Sequence, residues 1–207
     1  MEKIVVFVDS HSRYFEVNNK MKFHAPWLKG LDLDVHKIPA SSVIGLGKKR
    51  SRLNVVNKVK SDIDVDDFNV FCFGQVDLEL GYYYKKIVKG EDWSLKGFSD
   101  HLVDVYESFV KGLSLKNENT CLKGLNLTVL KYPEFAFSYV KRIILENVKD
   151  EDEIRRLTIK LRAEMEGFGE RNGATLYFNN KLKKACAANG WKYFDVNDYL
   201  SDFTPGG

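Results

Sequence analysis

Two carboxylates one residue apart, Asp77 and Glu79, follow the apolar run Asn69-Val70-Phe71-Cys72-Phe73 and the pair Gly74-Gln75. On an extended segment both acids point to one side while Leu78 packs the other way. Hard oxygen ligands of this kind suit Mn2+ or Mg2+, which share protein carboxylates with substrate phosphates. Asp77 and Glu79 are therefore the candidate metal ligands, and a metal-bridged nucleotide is the ligand they suggest. Gly74 lets a ligand approach the backbone closely, with Gln75 beside it. Tyr82, Tyr83 and Tyr84 offer stacking surfaces just beyond. The plainer alternative is a solvated turn after a buried strand.

A second polar cluster, Asp9-Ser10-His11-Ser12-Arg13, follows the first apolar run, Ile4 to Val8. Three readings stand side by side. Ser10 is a nucleophile activated by a histidine base; or Asp9, Ser10 and His11 bond a base or ribose while Arg13 faces a phosphate; or Asp and Ser cap a helix. A third segment, Gly45 to Arg52, joins two glycines to four positive charges, a composition suited to gripping phosphate through Lys48, Lys49 or Arg50. It is not a P-loop, because the Lys-Ser/Thr ending is missing. Asp9, His11 and Asp77 are the candidate general bases or catalytic groups. Lys131-Tyr132-Pro133-Glu134 is expected to enter the same crevice from the opposite side. His24, His36 and His101 are isolated, with no cysteine or acid at zinc-binding spacing.

These residues must be positioned by strands and helices. Ile4 to Val8 and Val70 to Phe73 are nearly continuous in apolar residues, as strands buried on both faces of a parallel sheet should be. Leu125 to Leu130, Trp191 to Val196 and the weaker Leu33 to Ile38 complete the predicted strands. Helical spacing falls on Leu53 to Val59, Ser99 to Leu113, Glu151 to Phe168 and Tyr177 to Ala188, the last closing at Asn189-Gly190. The alternation predicts an α/β three-layer sandwich with a central, mostly parallel (mixed) sheet flanked by helices. If the first and third strands are neighbours, Asp9 and Asp77 open onto one crevice at the carboxyl ends of the strands.

The bulk properties bound the rest. A chain of 207 residues forms one substantial core, burying roughly 70% of its unfolded surface. With 32 basic and 29 acidic residues the net charge of +3 is too balanced for a general nucleic-acid binder. Three cysteines leave one over if two are bridged, which favours a reducing compartment. No apolar run approaches the roughly 20 residues needed to span a bilayer, so a soluble protein is expected. The Pro205-Gly206-Gly207 ending suggests one domain, residues 1–207, cut from a longer chain that carries further domains.

Two family resemblances arise from these residues. Val6-Phe7-Val8-Asp9-Ser10-His11-Ser12, and the stretch from Phe178 through Asn189-Gly190-Trp191-Lys192-Tyr193-Phe194-Asp195, resemble the first block and the last helix–strand unit of SGNH, or GDSL-like, hydrolases. Val8 stands where that family has glycine, and no histidine follows His101, so the family's late Asp-x-x-His pair is absent. An esterase would need His11, another early histidine, or polypeptide beyond this sequence as its base. Along its whole length, through Asp-Ser-His-Ser-Arg and Phe-Gly-Gln-Val-Asp-Leu-Glu, the chain resembles the N-terminal glycosyltransferase domains of large multidomain chlorella-virus proteins. That resemblance implies a GT-A-like fold, a UDP-sugar donor, rhamnose or glucose as the transferred sugar, and Mn2+ or Mg2+ on the Asp-x-Asp-like pair Asp77 and Glu79. It also implies a glycan acceptor on a viral capsid glycoprotein and the cytoplasm of an infected host cell. Glu79 replaces the second aspartate of the usual motif.

The expectation is thus a metal-assisted glycosyltransferase, with the donor bordered by Asp9, Ser10, His11, Arg13, Gly74, Gln75, Lys48, Lys49 and Arg50. Its rivals are an SGNH-type esterase that acts on an acylated glycan through Ser10, and a non-catalytic carbohydrate-binding module built on Tyr82, Tyr83, Tyr84 and Trp93.

Overall fold

Short runs of β-branched and aromatic residues build the sheet, and their two-residue period decides which side chains meet which layer. In the computed structural model, which describes residues 3–9, 15, 30, 32–38, 41–47 and 55–197, the strands are β1 (Lys3–Val8), β2 (Asp32–Lys37), β3 (Phe68–Cys72), β4 (Thr120–Lys123) and β5 (Lys192–Phe194). Their order is β2-β1-β3-β4-β5. All four pairings are parallel, so among the described residues the sheet is not mixed. Val5, Phe7 and Phe71 point into the larger core, where Phe7 stacks on Phe71 at 5.5 Å. The alternate residues Val6, Val8, Val70, Cys72 and Cys121 form a smaller cluster on the other face.

The helices are α1 (Val43–Leu46), α2 (Val55–Asp62), α3 (Leu95–Lys111), α4 (Pro133–Ile144), α5 (Glu151–Glu164) and α6 (Phe168–Asn189). Each sends its buried apolar residues into the larger core. The chain is therefore an α/β protein with a five-stranded parallel sheet flanked by helices. Ser94 caps α3 by accepting from Gly97 N at 3.0 Å. The predicted stop of α6 is met at Gly190, whose φ of 71° puts it in the left-handed conformation that ends helices. Among the described residues no helix is long and apolar enough to cross a membrane.

Three departures from the sequence reading bear on the site. The segment after β3 is helical, not extended: residues 75–88 form one run that includes the π-helical turns Asp77–Gly81 and Tyr84–Val88. The predicted strand over Leu125 to Leu130 is instead an irregular segment, and the strand lies earlier, at Thr120–Lys123. Lys131-Tyr132-Pro133-Glu134 is the start of α4, where proline takes the first helical position and its missing N–H costs nothing.

Candidate functional site at the carboxyl ends of the strands

In a parallel sheet of order 2-1-3-4-5 the chain leaves β1 toward one edge and β3 toward the other, which opens a crevice between their carboxyl ends. Asp9 emerges there from β1, almost fully buried, with its N–H donating to Cys72 O at 3.4 Å. On the β3 side Phe73 N donates to Tyr106 Oη at 3.3 Å. Gly74 then takes φ +115°, and a Cβ there would stand 3.3 Å from Leu125 Cδ2. That conformation releases the chain from the sheet and starts the helix over the crevice. Asp9, Cys72, Phe73, Gln75, Lys123, Gly124, Leu125 and Asn126 line the narrow cleft that results.

Side-chain amides hold the far wall. Asn179 Oδ1 accepts from Leu125 N at 2.7 Å and its Nδ2 donates to Leu125 O at 2.9 Å. Asn197 donates to the same carbonyl at 2.8 Å and accepts from Leu127 N at 3.0 Å. Asn172 accepts from Thr128 N, and Arg171 donates to Leu130 O. The segment has thus exchanged a strand's ladder for side-chain partners, as buried backbone groups must. Gln75 ties this wall to the helix: its Oε1 accepts from Asn126 N at 2.9 Å, and its Nε2 donates to Asn126 O and to Glu79 Oε1.

Lys123, which sequence reasoning passed over, places an ammonium at this cleft. It is only 3% exposed and donates to Gly124 O at 2.6 Å and Asn126 Oδ1 at 2.9 Å. The signal was the position of a lysine before glycine at the end of Thr120-Cys121-Leu122, a strand too polar at its ends to be recognised. The Cys72 thiol is held far above its ordinary range, first by burial, with the Lys123 charge pulling down and Asp9 pushing up. All three cysteines are free and buried.

Of the predicted site residues, the structure gathers Asp9, Gly74 and Gln75 around the cleft. Ser10, His11 and Arg13, and likewise Lys48, Lys49 and Arg50, lie outside the described residues. Asp77 and Glu79 are not brought together as a pair, because two residues apart on a helix they face different surroundings. The Asp77 carboxylate is buried and turned onto the start of α1, where Oδ2 accepts from Val43 N at 2.6 Å and Oδ1 from Ile44 N at 3.2 Å. Burial pushes its pKa up to about 7; the two backbone donors oppose that rise, and the Asp9 charge adds to it. Glu79 lines a separate cavity with Leu78, Leu130, Tyr139 and Arg171. Among the described residues no group of three or more His, Cys, Asp or Glu side chains is placed to hold a metal ion.

The tyrosine platform is likewise changed. Tyr82 and Tyr83 are buried in the core, and only Tyr84 is exposed. Tyr82 Oη donates to Glu166 Oε1 at 2.6 Å, and Trp93 stacks on His101 at 5.3 Å. His36, between Asp34 and Asp62 on β2, stacks on Phe7.

No protein-family model matches the sequence, and no curated protein matches it either. Among solved structures, phospholipase A1 from Streptomyces albidoflavus NA297 is similar over 97% of this chain and 81% of its own, with 14% sequence identity and a TM-score of 0.46.

Proposed function

We propose that the chain is a serine-dependent esterase or acyltransferase working at the exit of β1, with Ser10 as nucleophile. The observation that carries this reading is the place of Asp9: it follows β1 at the β1–β3 crevice, where ligands of parallel α/β proteins bind, and Ser10 is the next residue in sequence. The turn of Asp77 onto α1 weighs against the metal-assisted alternative, since both its oxygens are already engaged.

In this reading Ser10 Oγ attacks the acyl carbonyl, its proton passes to a base, and the alcohol leaves with a proton returned to it. Water or an acceptor hydroxyl then attacks the acyl-serine and frees Ser10. His11, adjacent in sequence, is the base we assign. The buried Lys123 cation raises the potential of the cleft and favours the negative charge that develops on the carbonyl oxygen.

Hydrolysis of p-nitrophenyl acetate, and of an acetylated oligosaccharide, tests the assignment. Turnover should fall by on the order of 10³-fold or more in Ser10→Ala, as loss of a nucleophile does, and should be indifferent to chelator. If calorimetry instead detects UDP only when Mn2+ is present, and ester turnover is absent, metal-assisted transfer from a UDP-sugar replaces this reading.

A further inference from the structure

Asp34 and His36 lie two residues apart on β2, so both side chains leave the same face of the sheet. Among the described strands β2 stands at an edge, and His36 is the register partner of Phe7 on β1. The imidazole stacks on the fully buried Phe7 ring at 5.2 Å and 28°, which restrains it from turning away. Its two nitrogens face two carboxylates. Nε2 lies 3.2 Å from Asp34 Oδ1, and Nδ1 lies 3.0 Å from Asp62 Oδ2 at the end of α2.

A neutral imidazole carries one N–H and one bare lone pair. Either neutral tautomer therefore sets a lone pair against a carboxylate oxygen, a repulsive contact at these distances. The doubly protonated ring answers both acids at once. Nε2 is buried and has no hydrogen-bond partner in line, so charge is what draws it to Asp34. From β1, Lys3 Nζ meets the other oxygen of Asp34 at 2.6 Å and, together with His36, holds that carboxyl below its ordinary range. From α2, Ser61 Oγ donates to Asp62 Oδ1 at 2.8 Å. When the ring turns neutral Asp34 keeps the Lys3 cation, and the contact that weakens most is the one to Asp62.

We propose that Asp34, His36 and Asp62 form a pH-sensitive clasp between the edge strand β2 and the end of α2, fastened while the ring holds two protons and released when it gives one up. Histidine is the side chain whose charge ordinarily changes in the physiological range. β2 and α2 lie on either side of α1 in the chain, and Asp77 holds the first turn of α1. The clasp thus joins the two ends of the stretch that carries this wall of the crevice. It is independent of the chemistry assigned to Ser10.

A double-mutant cycle by urea denaturation tests it, with wild type, His36→Phe, Asp62→Asn and the double variant at about pH 5.5 and about pH 8.5, either side of the ordinary histidine range. Phe keeps a ring on Phe7 and removes both nitrogens. In acid the cycle should return a favourable coupling of about 2- to 5-fold in the folding equilibrium, the scale of a partly exposed ion pair. In the alkaline series it should vanish. The Asp77 carboxyl is common to all four chains and cancels. Ring-nitrogen NMR needs only the mild Asp62→Asn change: near neutral pH fewer of its His36 rings should carry two protons than in the wild type. Equal coupling at both pH values, no coupling in acid, or equal ring protonation in the two chains overturns the proposal.

Discussion

Asp77→Ala should lower the melting temperature by on the order of 4–24 °C, because two backbone N–H groups of α1 lose their acceptor at once. One of these bonds, Val43 N to Asp77 Oδ2, is buried, and the other is partly so. Leaving a buried donor unsatisfied costs roughly 1–3 kcal/mol, and in a chain of this size each kcal/mol moves the midpoint by about 2–4 °C. Asp77 ties the turn after β3 to the segment after β2, so its loss should loosen both walls of the crevice. As the metal ligand that the sequence reading made of Asp77, the same substitution would remove a metal and leave the fold intact. Stability therefore separates the two roles directly.

The same carboxyl predicts a pH dependence. Its pKa in the folded chain is about 7, against an ordinary value of 3.8. Below about pH 4 folded and unfolded chains both hold the proton, and the stabilisation from protonation is fully present. As pH rises through 7 the folded chain must give up a proton that the unfolded chain lost earlier, and that stabilisation disappears. The shift corresponds to at most about 4 kcal/mol. Urea denaturation of the wild type and Asp77→Asn between pH 4 and 8 isolates it: the wild type should lose stability relative to the variant across the window. Parallel curves, or an Asp77 carboxyl titrating near 4 by NMR, would contradict the assignment.

Gly124→Ala should be the most damaging single methyl addition at the crevice. A Cβ at this position would overlap Tyr193 Oη and stand 2.9 Å from Asp195 Cβ and 3.0 Å from Asn179 Oδ1. Tyr193 is held by its 2.6 Å hydrogen bond to Asp195, and Asn179 by both backbone groups of Leu125. None of the three can withdraw without disturbing one of these hydrogen bonds, of which those of Asn179 are buried. The overpacking cost of roughly 1–3 kcal/mol is joined by the loss of an Asn179 contact of about 1 kcal/mol. Hydrogen exchange should report the place: the Leu125 and Leu127 amides should lose protection by on the order of 10-fold or more, while those of β1 follow only global stability. Equal loss across the sheet would mean that the glycine matters to the fold as a whole and not to this wall.

The sequence carried the layering well, because the apolar runs of β1 and β3 and the helical spacing of α3 and α6 are set by burial, which is written in residue type. It carried β4 poorly. Thr120 and Lys123 are buried with their polar ends bonded, so the true strand reads as polar, whereas Leu125 to Leu130 reads as a strand although its backbone is held by Asn179, Asn197 and Asn172. Those asparagines lie 44 to 72 residues away in sequence, and no local pattern announces such partners. The geometry of the acidic pair differs from the expected one for a related reason. Its side-by-side geometry assumed an extended chain, and Gly74 instead turned the backbone into a helix. Asp9 and the crevice were legible, because the end of an apolar strand followed by Asp-Ser is a local signal and the order β1 beside β3 is common in parallel sheets.

The most direct test of the account is covalent capture of Ser10. A serine-directed fluorophosphonate incubated with the wild-type chain, followed by peptide mass mapping, should place a single phosphonyl adduct on Ser10. Ser10→Ala should abolish it, and chelator should leave it unchanged. A protein that stays unlabelled while folded, or one labelled elsewhere with Ser10 intact, would contradict the assignment of nucleophilic chemistry to the end of β1.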